Sequence, residues 1–321
     1  MGAVVLVTAI GTATSTAIVL RLRELGNYHI IGGDIFKWNQ VVTAKDVDEF
    51  YQFPSAVEEF DSYIDFMAAF CKEHNVDFYF ASIDEEIANL SRNRERFEAI
   101  GVRLCIPNHE LIMTCHYKNA FSDWVEVHFP EIWIKRYRTL LEVEDKAFPL
   151  FIKPVEGRAS LGCRKIADKE ALEEWKSKET TESNVIIQEY VEGEIITVDF
   201  VRNARTGHNS QVQRIENLRN SSGCGIAVEI INDPILNRIC SRLMEMLNLN
   251  GVVNAEFFRD GSKYRIIEIN PRFSAGTSFS CLAGCDTVTA ALDLASGNDF
   301  KLGESEIGLH LAKRYETYRM D

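Results

Sequence analysis

The start of the chain does most to limit what it can fold into. Ala3-Val-Val-Leu-Val-Thr-Ala-Ile10 is an unbroken apolar run, followed by Gly11-Thr12-Ala13-Thr14 and a helical pattern from Ser15 to Leu25 that stops at Gly26. A second run, Tyr28 to Gly33, leads into Asp34. A strand without polar alternation is buried on both faces, and two such strands joined by a helix pair in parallel with helices covering the sheet. The pattern continues with a helix over 63–74, a strand over 77–81, one long charged helix over 85–100 and a strand over 102–106 before Pro107. Residues 1 to about 107 therefore read as a doubly wound α/β unit. Ala13 and Thr16 stand where a G-x-G-x-x-G fingerprint needs glycine, so an NAD(P) oxidoreductase reading rests only on an incomplete pattern. Asp84-Glu85, at a strand-to-helix junction, suits helix capping as well as ligand contact.

With 321 residues the chain has room for about two domains. From Pro149 its character changes to strands and hairpins at 150–153, 163–166, 185–190, 195–202, 252–259 and 264–270, with helices over 169–178 and 234–247. The second half reads as α+β with a largely antiparallel sheet. Lys and Arg number 35 against 48 Asp and Glu, a formal charge of −13. Such a surface repels phosphate backbones and anionic lipids, which argues against nucleic-acid or membrane partners. A bound polyanion would need a few local cations and metal ions. No apolar run reaches the ~20 residues of a membrane span, and no secretory leader is legible, so the expected location is cytoplasmic. The eight cysteines form no C-x-x-C pair. Cys281 and Cys285 fall at i, i+4, a spacing that would place them on one helix face, but reduced, buried thiols are the expectation for the set.

Three segments carry chemistry. Pro149-Leu-Phe-Ile-Lys153-Pro154 delivers one lysine from a strand, and Glu156-Gly157-Arg158-Ala159-Ser160-Leu161-Gly162 follows as a small, flexible loop. Glycines admit phosphate oxygens to the backbone, Ser160 adds a hydroxyl, and Lys153 adds a cation; an ordinary hairpin with an exposed lysine is the plain alternative. The segment 251–272 puts Glu268 and Asn270 on one strand face, with Glu256 on the partner strand. Carboxylate and amide oxygens suit Mg²⁺, or Mn²⁺, whereas a solvated edge hairpin would leave Pro271-Arg272 unexplained. If Glu256 and Glu268 share a metal they must pair directly, which predicts a hairpin loop with an odd residue count; a two-residue turn at Asp260-Gly261 would separate them. The third segment, Gln188-Glu-Tyr-Val191-Glu-Gly-Glu194, is a strand broken at Gly193 that suits either a hinge beside a planar base or a plain β-turn.

In this order the segments resemble the ATP-grasp superfamily, and most closely the carbamoyl-phosphate synthase large subunit-like ligases with a preceding Rossmann-like domain. The resemblance runs from the N-terminal unit to about residue 285, and Glu268-Ile-Asn270-Pro-Arg272 is its most specific part. It implies a Rossmann-like domain at 1–112, a small lobe with a mobile phosphate loop at 113–191 and a C-terminal lobe at 192–321. It further implies Glu256, Glu268 and Asn270 as metal ligands and Arg272 on the transferred phosphoryl group. Lys118 and Lys153 would lie on ATP phosphates, and Gly157, Ser160 and Gly162 in the covering loop. Gln188 and the backbone of Glu189, Tyr190 and Val191 would meet adenine. One departure concerns ribose: members carry Glu-Gly-x-Glu at the hinge, whereas Ile195 holds that place here and the acid is Glu194, which a one-residue bulge would have to bring round.

The implied activity is ATP-dependent activation of a small-molecule carboxylate as an acylphosphate, with ADP release, followed by attack of an amine. Arg214 and Arg219, the turn Asn220-Ser-Ser-Gly-Cys-Gly225 and Ser274-Ala-Gly276-Thr277-Ser278 are candidates for holding the carboxylate, with Arg272. None of the seven histidines falls in these segments. A homodimer is compatible with the sequence. The competing reading is a nucleotide-binding regulator of the same fold without turnover.

Overall fold

In the computed structural model, which describes residues 2–144, 147–155, 162–178 and 184–321, the chain is organised around three sheets. The first contains β1 (Ala3–Thr8), β2 (Tyr28–Asp34), β3 (Glu49–Gln52), β4 (Phe78–Phe80) and β5 (Arg103–Leu104), in the order β3-β2-β1-β4-β5. All its pairings are parallel. Helix α1 (Ala13–Leu25) starts at Thr12, whose hydroxyl accepts Ser15 N–H, and ends at Gly26 with φ 73°, a left-handed cap that favours glycine. Val5 and Val7 pack with Ile18 and Leu22 of α1 on one face of the sheet. On the other, Leu6 packs with Met67 and Cys71 of α2 (Phe60–Glu73).

The expected single helix over 85–100 is instead two, α3 (Asp84–Arg92) and α4 (Arg94–Glu98). Asn93 interrupts them because its side-chain amide donates to Asn89 O at 2.9 Å, giving the backbone an alternative to the helical ladder. Helix α5 (His109–His116) follows, and it belongs to two cores at once: Leu111 and Cys115 lie in the cluster beneath the third sheet, while Ile112 lies in that of the first. Helix α6 (Lys118–His128) continues into the third-sheet cluster through Phe121 and Val125.

The second sheet is antiparallel, formed by β6 (Arg136–Tyr137), β7 (Leu150–Pro154), β8 (Arg164–Ile166) and β9 (Val185–Glu189) in the order β6-β9-β7-β8, with α7 (Lys169–Lys178) packing Leu172 and Trp175 against it. The third holds β10 (Glu194–Arg202), β11 (Asn209–Arg219), β12 (Gly225–Ile231), β13 (Gly251–Asp260), β14 (Lys263–Asn270) and β15 (His310–Ala312), ordered β14-β13-β10-β11-β12-β15. Helix α8 (Pro234–Met246) begins at Asp233, whose carboxylate accepts Ile235 N–H at 2.7 Å, with Pro234 at the first helical position. Its Leu236, Cys240 and Leu243 cover one face of this sheet, against Ile196, Val198, Phe200 and Ala255. Helices α9 (Thr277–Leu282) and α10 (Thr287–Ala295) close the fold, and Arg21 of α1 is paired with Asp286 at the start of α10 at 2.9 Å.

Strands β11 and β12 were not legible. Gln213 and Arg214 are buried in the middle of β11, so the run lacks the apolar pattern that marks a core strand. All eight cysteines are free thiols. Among the described residues no helix is long and apolar enough to cross a membrane.

Candidate active site

The face of the third sheet opposite α8 is polar, and strand alternation explains which side chains it carries. On β10, Ile196, Val198 and Phe200 turn to the apolar cluster, which sends Thr197 and Asp199 to the other side. The cross-strand register then puts Arg214 and Glu256 beside Thr197, and Asn254 beside Asp199. Glu268 pairs with Glu256, and Asn270 with Asn254. Thr197 and Asp199 were readable from the period-two spacing of their strand, but the sequence reading passed over them.

The expected pairing of Glu256 with Glu268 is present, but the expected odd loop is not. Asp260 pairs with Lys263 across a two-residue turn, Gly261-Ser262, with Gly261 at φ 58°. The turn falls one residue beyond the Asp260-Gly261 position that would have separated the carboxylates. Register shifts between Glu256 and Phe257, where Ile267 is the unpaired residue of a β-bulge. The bulge changes the pairing from Phe257–Ile266 to Glu256–Glu268, so an even turn still delivers facing carboxylates. It also releases the Ile267 carbonyl, which lies 3.5 Å from Lys153 Nζ. Lys153 is buried on β7, and burial lowers its pKa from 10.5 despite the nearby Glu268, with the Lys118 charge adding to the effect.

Glu256 and Glu268 make a hard-oxygen donor set of the kind Mg²⁺ takes. Burial, opposed by Arg219 and reinforced by Glu268, pushes the Glu256 carboxyl up to about 7. A cation between the two would relieve that repulsion, as a polyphosphate would relieve the buried charge of Lys153, so the residues present fit both groups. Asn270 Nδ2 donates to Glu268 Oε1 and to Asn254 Oδ1, both at 3.3 Å, and Asn254 Nδ2 donates to Asp199 at 3.1 Å. Arg272 donates from Nη2 to Asn270 Oδ1 at 3.2 Å and from Nε to Asp84 Oδ1 at 2.8 Å. Burial works against the Arg272 charge, but the Asp84 carboxylate outweighs it and keeps the pKa above its ordinary value.

Several residues with expected roles are engaged by partners within the chain. Arg214 is 1% exposed and bonded to Asp199 at 2.8 Å and Ser280 Oγ at 2.7 Å, so its guanidinium is built into the floor of the site. A Cβ on Gly276 would come within 2.7 Å of Arg214 Nη2, which explains a glycine there. Ser274 is buried in the same knot, with Oγ 3.0 Å from Asp199. Arg219 is paired with Glu256 at 2.7 Å.

Glu194 stays in regular register opposite Arg259, with no bulge, and its carboxylate accepts Arg259 Nη2 at 2.6 Å. Strand period therefore turns Glu194 to the face opposite Thr197, and Ile195 occupies the polar face. The hinge backbone is also partly spent: Glu189 N–H donates to Lys135 O at 2.9 Å and Tyr190 N–H to Pro149 O at 3.2 Å, which leaves Val191 of the three as a donor for a base. Gln188 is buried on β9, and Lys165 Nζ lies 3.8 Å from the Tyr190 ring centroid. Gly157 and Ser160 lie outside the described residues; Gly162 is described, with φ 77°. Asp84 does not cap its helix, because Ile83 is the cap residue and makes no side-chain bond.

The chain resembles known proteins along most of its length. Residues 5–105 match the family model described as PylC-like, N-terminal domain, and residues 181–314 that of ATP-grasp in the biosynthetic pathway with Ter operon. The 3-methyl-D-ornithine–L-lysine ligase of Methanosarcina mazei is 28% identical over 131 residues, which are 40% of this chain and 33% of the ligase. The carbamoyl phosphate synthase large chain of Clostridium acetobutylicum is 24% identical over 249 residues, 73% of this chain and 21% of the synthase. The chain thus spans about a third of one curated relative and about a fifth of the other. Biotin carboxylase from Campylobacter jejuni, solved as a complex with β-γ-ATP, superposes with TM-score 0.72 at 15% identity, covering 92% of this chain and 72% of that one. The three-sheet architecture and the two matched segments agree: residues 181–314 form an ATP-grasp domain, preceded at 5–105 by a PylC-like N-terminal domain.

Proposed function

We propose that the chain is an ADP-forming carboxylate–amine ligase. The observation that carries this reading is the facing pair Glu256 and Glu268, with Asn270 and Arg272 beside it and Lys153 opposite at the Ile267 carbonyl. Glu256, Glu268 and Asn270 would hold Mg²⁺, which supplies charge neutralisation and Lewis acidity at the ATP phosphates. Lys153 and Lys118 add positive charge to the same side of the cleft. The covering segment that contains Gly157, Ser160 and Gly162 would exclude water from the transfer. Arg272 directs N–H groups at oxygens that gain charge as a phosphoryl group passes to a substrate carboxylate. Attack of an amine on the resulting acylphosphate releases phosphate and leaves an amide. Exclusion of water protects the acylphosphate from hydrolysis. The ligase relative, which joins 3-methyl-D-ornithine to L-lysine, points toward amino-acid substrates.

A second reading, an ATP- or ADP-binding regulator without turnover, is favoured by Glu194 turning away from the polar face and Ile195 taking its place. Incubation with ATP, Mg²⁺ and pooled amino acids separates the two. Substrate-dependent release of ADP and phosphate supports the ligase, whereas tight ATP binding with no release across the panel supports the regulator. Asp34 accepts Gly11 N–H at 2.8 Å and braces the β1–α1 turn.

A further inference from the structure

The N-terminal sheet and the nucleotide lobe meet at one charged contact inside the site. Asp84 is the first residue of α3, 188 residues away in sequence from Arg272, and its Oδ1 lies 2.8 Å from Arg272 Nε. Three acids fill the first turn of this helix, and they do different work. Glu86 is turned into the N-terminal core, where Tyr63 and Tyr79 hydroxyls donate to it at 2.6 and 2.5 Å. Asp84 leaves its domain altogether, and no cap bond accounts for it.

The geometry of the guanidinium gives this contact a function. Arginine has five N–H groups in a rigid fork. Nε is taken by Asp84, one Nη1 hydrogen by Phe273 O at 3.2 Å and one Nη2 hydrogen by Asn270 Oδ1 at 3.2 Å. One N–H on each terminal nitrogen then has no partner among the described residues, and these two are the pair suited to phosphoryl or carboxylate oxygens. Asp84 binds at Nε, so it fixes the rotation of the plane while one N–H on each terminal nitrogen stays available. Phe273 and Asn270 are near neighbours on the same segment; Asp84 is the contact that comes from another domain.

We propose that Asp84 is a positioning residue for Arg272, through which the N-terminal domain sets the catalytic guanidinium. This inference rests on the ligase reading for its kinetic consequence but not for its geometric one. In Asp84→Asn, kcat should fall about 10- to 100-fold with the KM for ATP changed less than about 2-fold, because the nucleotide contacts of Lys153 and Val191 are untouched. Asp84→Glu, which keeps the charge, should recover part of the loss. Arg21→Gln, which breaks the α1–α10 ion pair away from the site, should leave kcat unchanged; an equal loss there would mean general loosening of the domains and would overturn the proposal. Phenylglyoxal labelling of Arg272, followed by peptide mass mapping, needs no turnover. Labelling should be at least several-fold faster in Asp84→Asn, with Asp84→Ser as a second variant, than in the unsubstituted protein. If labelling rates are equal, Asp84 does not hold the guanidinium and the proposal fails. If the unsubstituted protein shows no substrate-dependent ADP release, the ligase reading fails, and the labelling rates still decide the placement of Arg272.

Discussion

Lys153 is a buried cation whose one hydrogen bond among the described residues is a long one to a backbone carbonyl, an arrangement that costs stability until phosphate arrives. Lys153→Met fills the same space without the charge. It should keep or raise the melting temperature while lowering turnover by about 100-fold or more, a combination that calorimetry and an ADP-release assay would separate. Glu86 invites a pH experiment. Burial raises its pKa from 4.5, against the hydroxyls of Tyr63, Tyr79 and Thr8, which favour the carboxylate. A carboxyl whose folded pKa is raised contributes stability that is fully present below 4.5 and lost as pH rises through the folded value. The melting temperature of the protein relative to Glu86→Gln should therefore decline from about pH 4.5 toward neutrality; a flat difference would contradict the shift. The facing of Glu256, Glu268 and Asn270 was legible because their spacing follows strand period. The arginine partners of Asp199 and Asp84 were not, since Arg214 and Arg272 are more than ten residues away and only folding brings them near.

The hairpin of β13 and β14 shows what spacing can and cannot tell. The requirement that Glu256 face Glu268 follows from chemistry and holds, but the tip geometry inferred from it does not, because a bulge reconciles an even turn with the pairing. Nothing in Lys263-Tyr-Arg-Ile-Ile-Glu268 marks Ile267 as the unpaired residue. Gly261, at φ 58°, is required by the turn, and Gly261→Ala should cost about 1 kcal/mol in denaturant unfolding. It should leave the KM for ATP unchanged, since the bulge lies between the turn and the metal end. Four strands of the parallel sheet were legible from apolar runs, but the edge strand β3, Glu-Phe-Tyr-Gln, has no such run and was not. Strand β11 was hidden by Gln213 and Arg214, polar residues buried because they serve the floor of the site.

At the scale of the molecule, the −13 net charge is a poor guide to what the cleft binds. Glu256 and Glu268 face each other, and the charges of Lys118 and Glu268 both act on buried Lys153. Saturating MgATP at about 100 times its Kd should stabilise the folded protein by about 2.7 kcal/mol, a rise of roughly 5 °C in melting temperature. Chelation of Mg²⁺ should remove most of that rise, and Glu268→Gln should abolish its metal-dependent part; an undiminished response in the variant would place the metal elsewhere. The same molecule lacks a seam where the sequence suggests one. Consecutive residues of α5, Leu111 and Ile112, sit in different cores, so this helix rivets the first sheet to the third. Anyone exchanging N-terminal domains between relatives, to graft a new substrate preference onto this nucleotide lobe, would have to carry the whole of α5 and both of its sockets. A chimera joined at residue 112 would inherit half a rivet, and insolubility in such a chimera would reflect the splice and not an incompatible pair of domains.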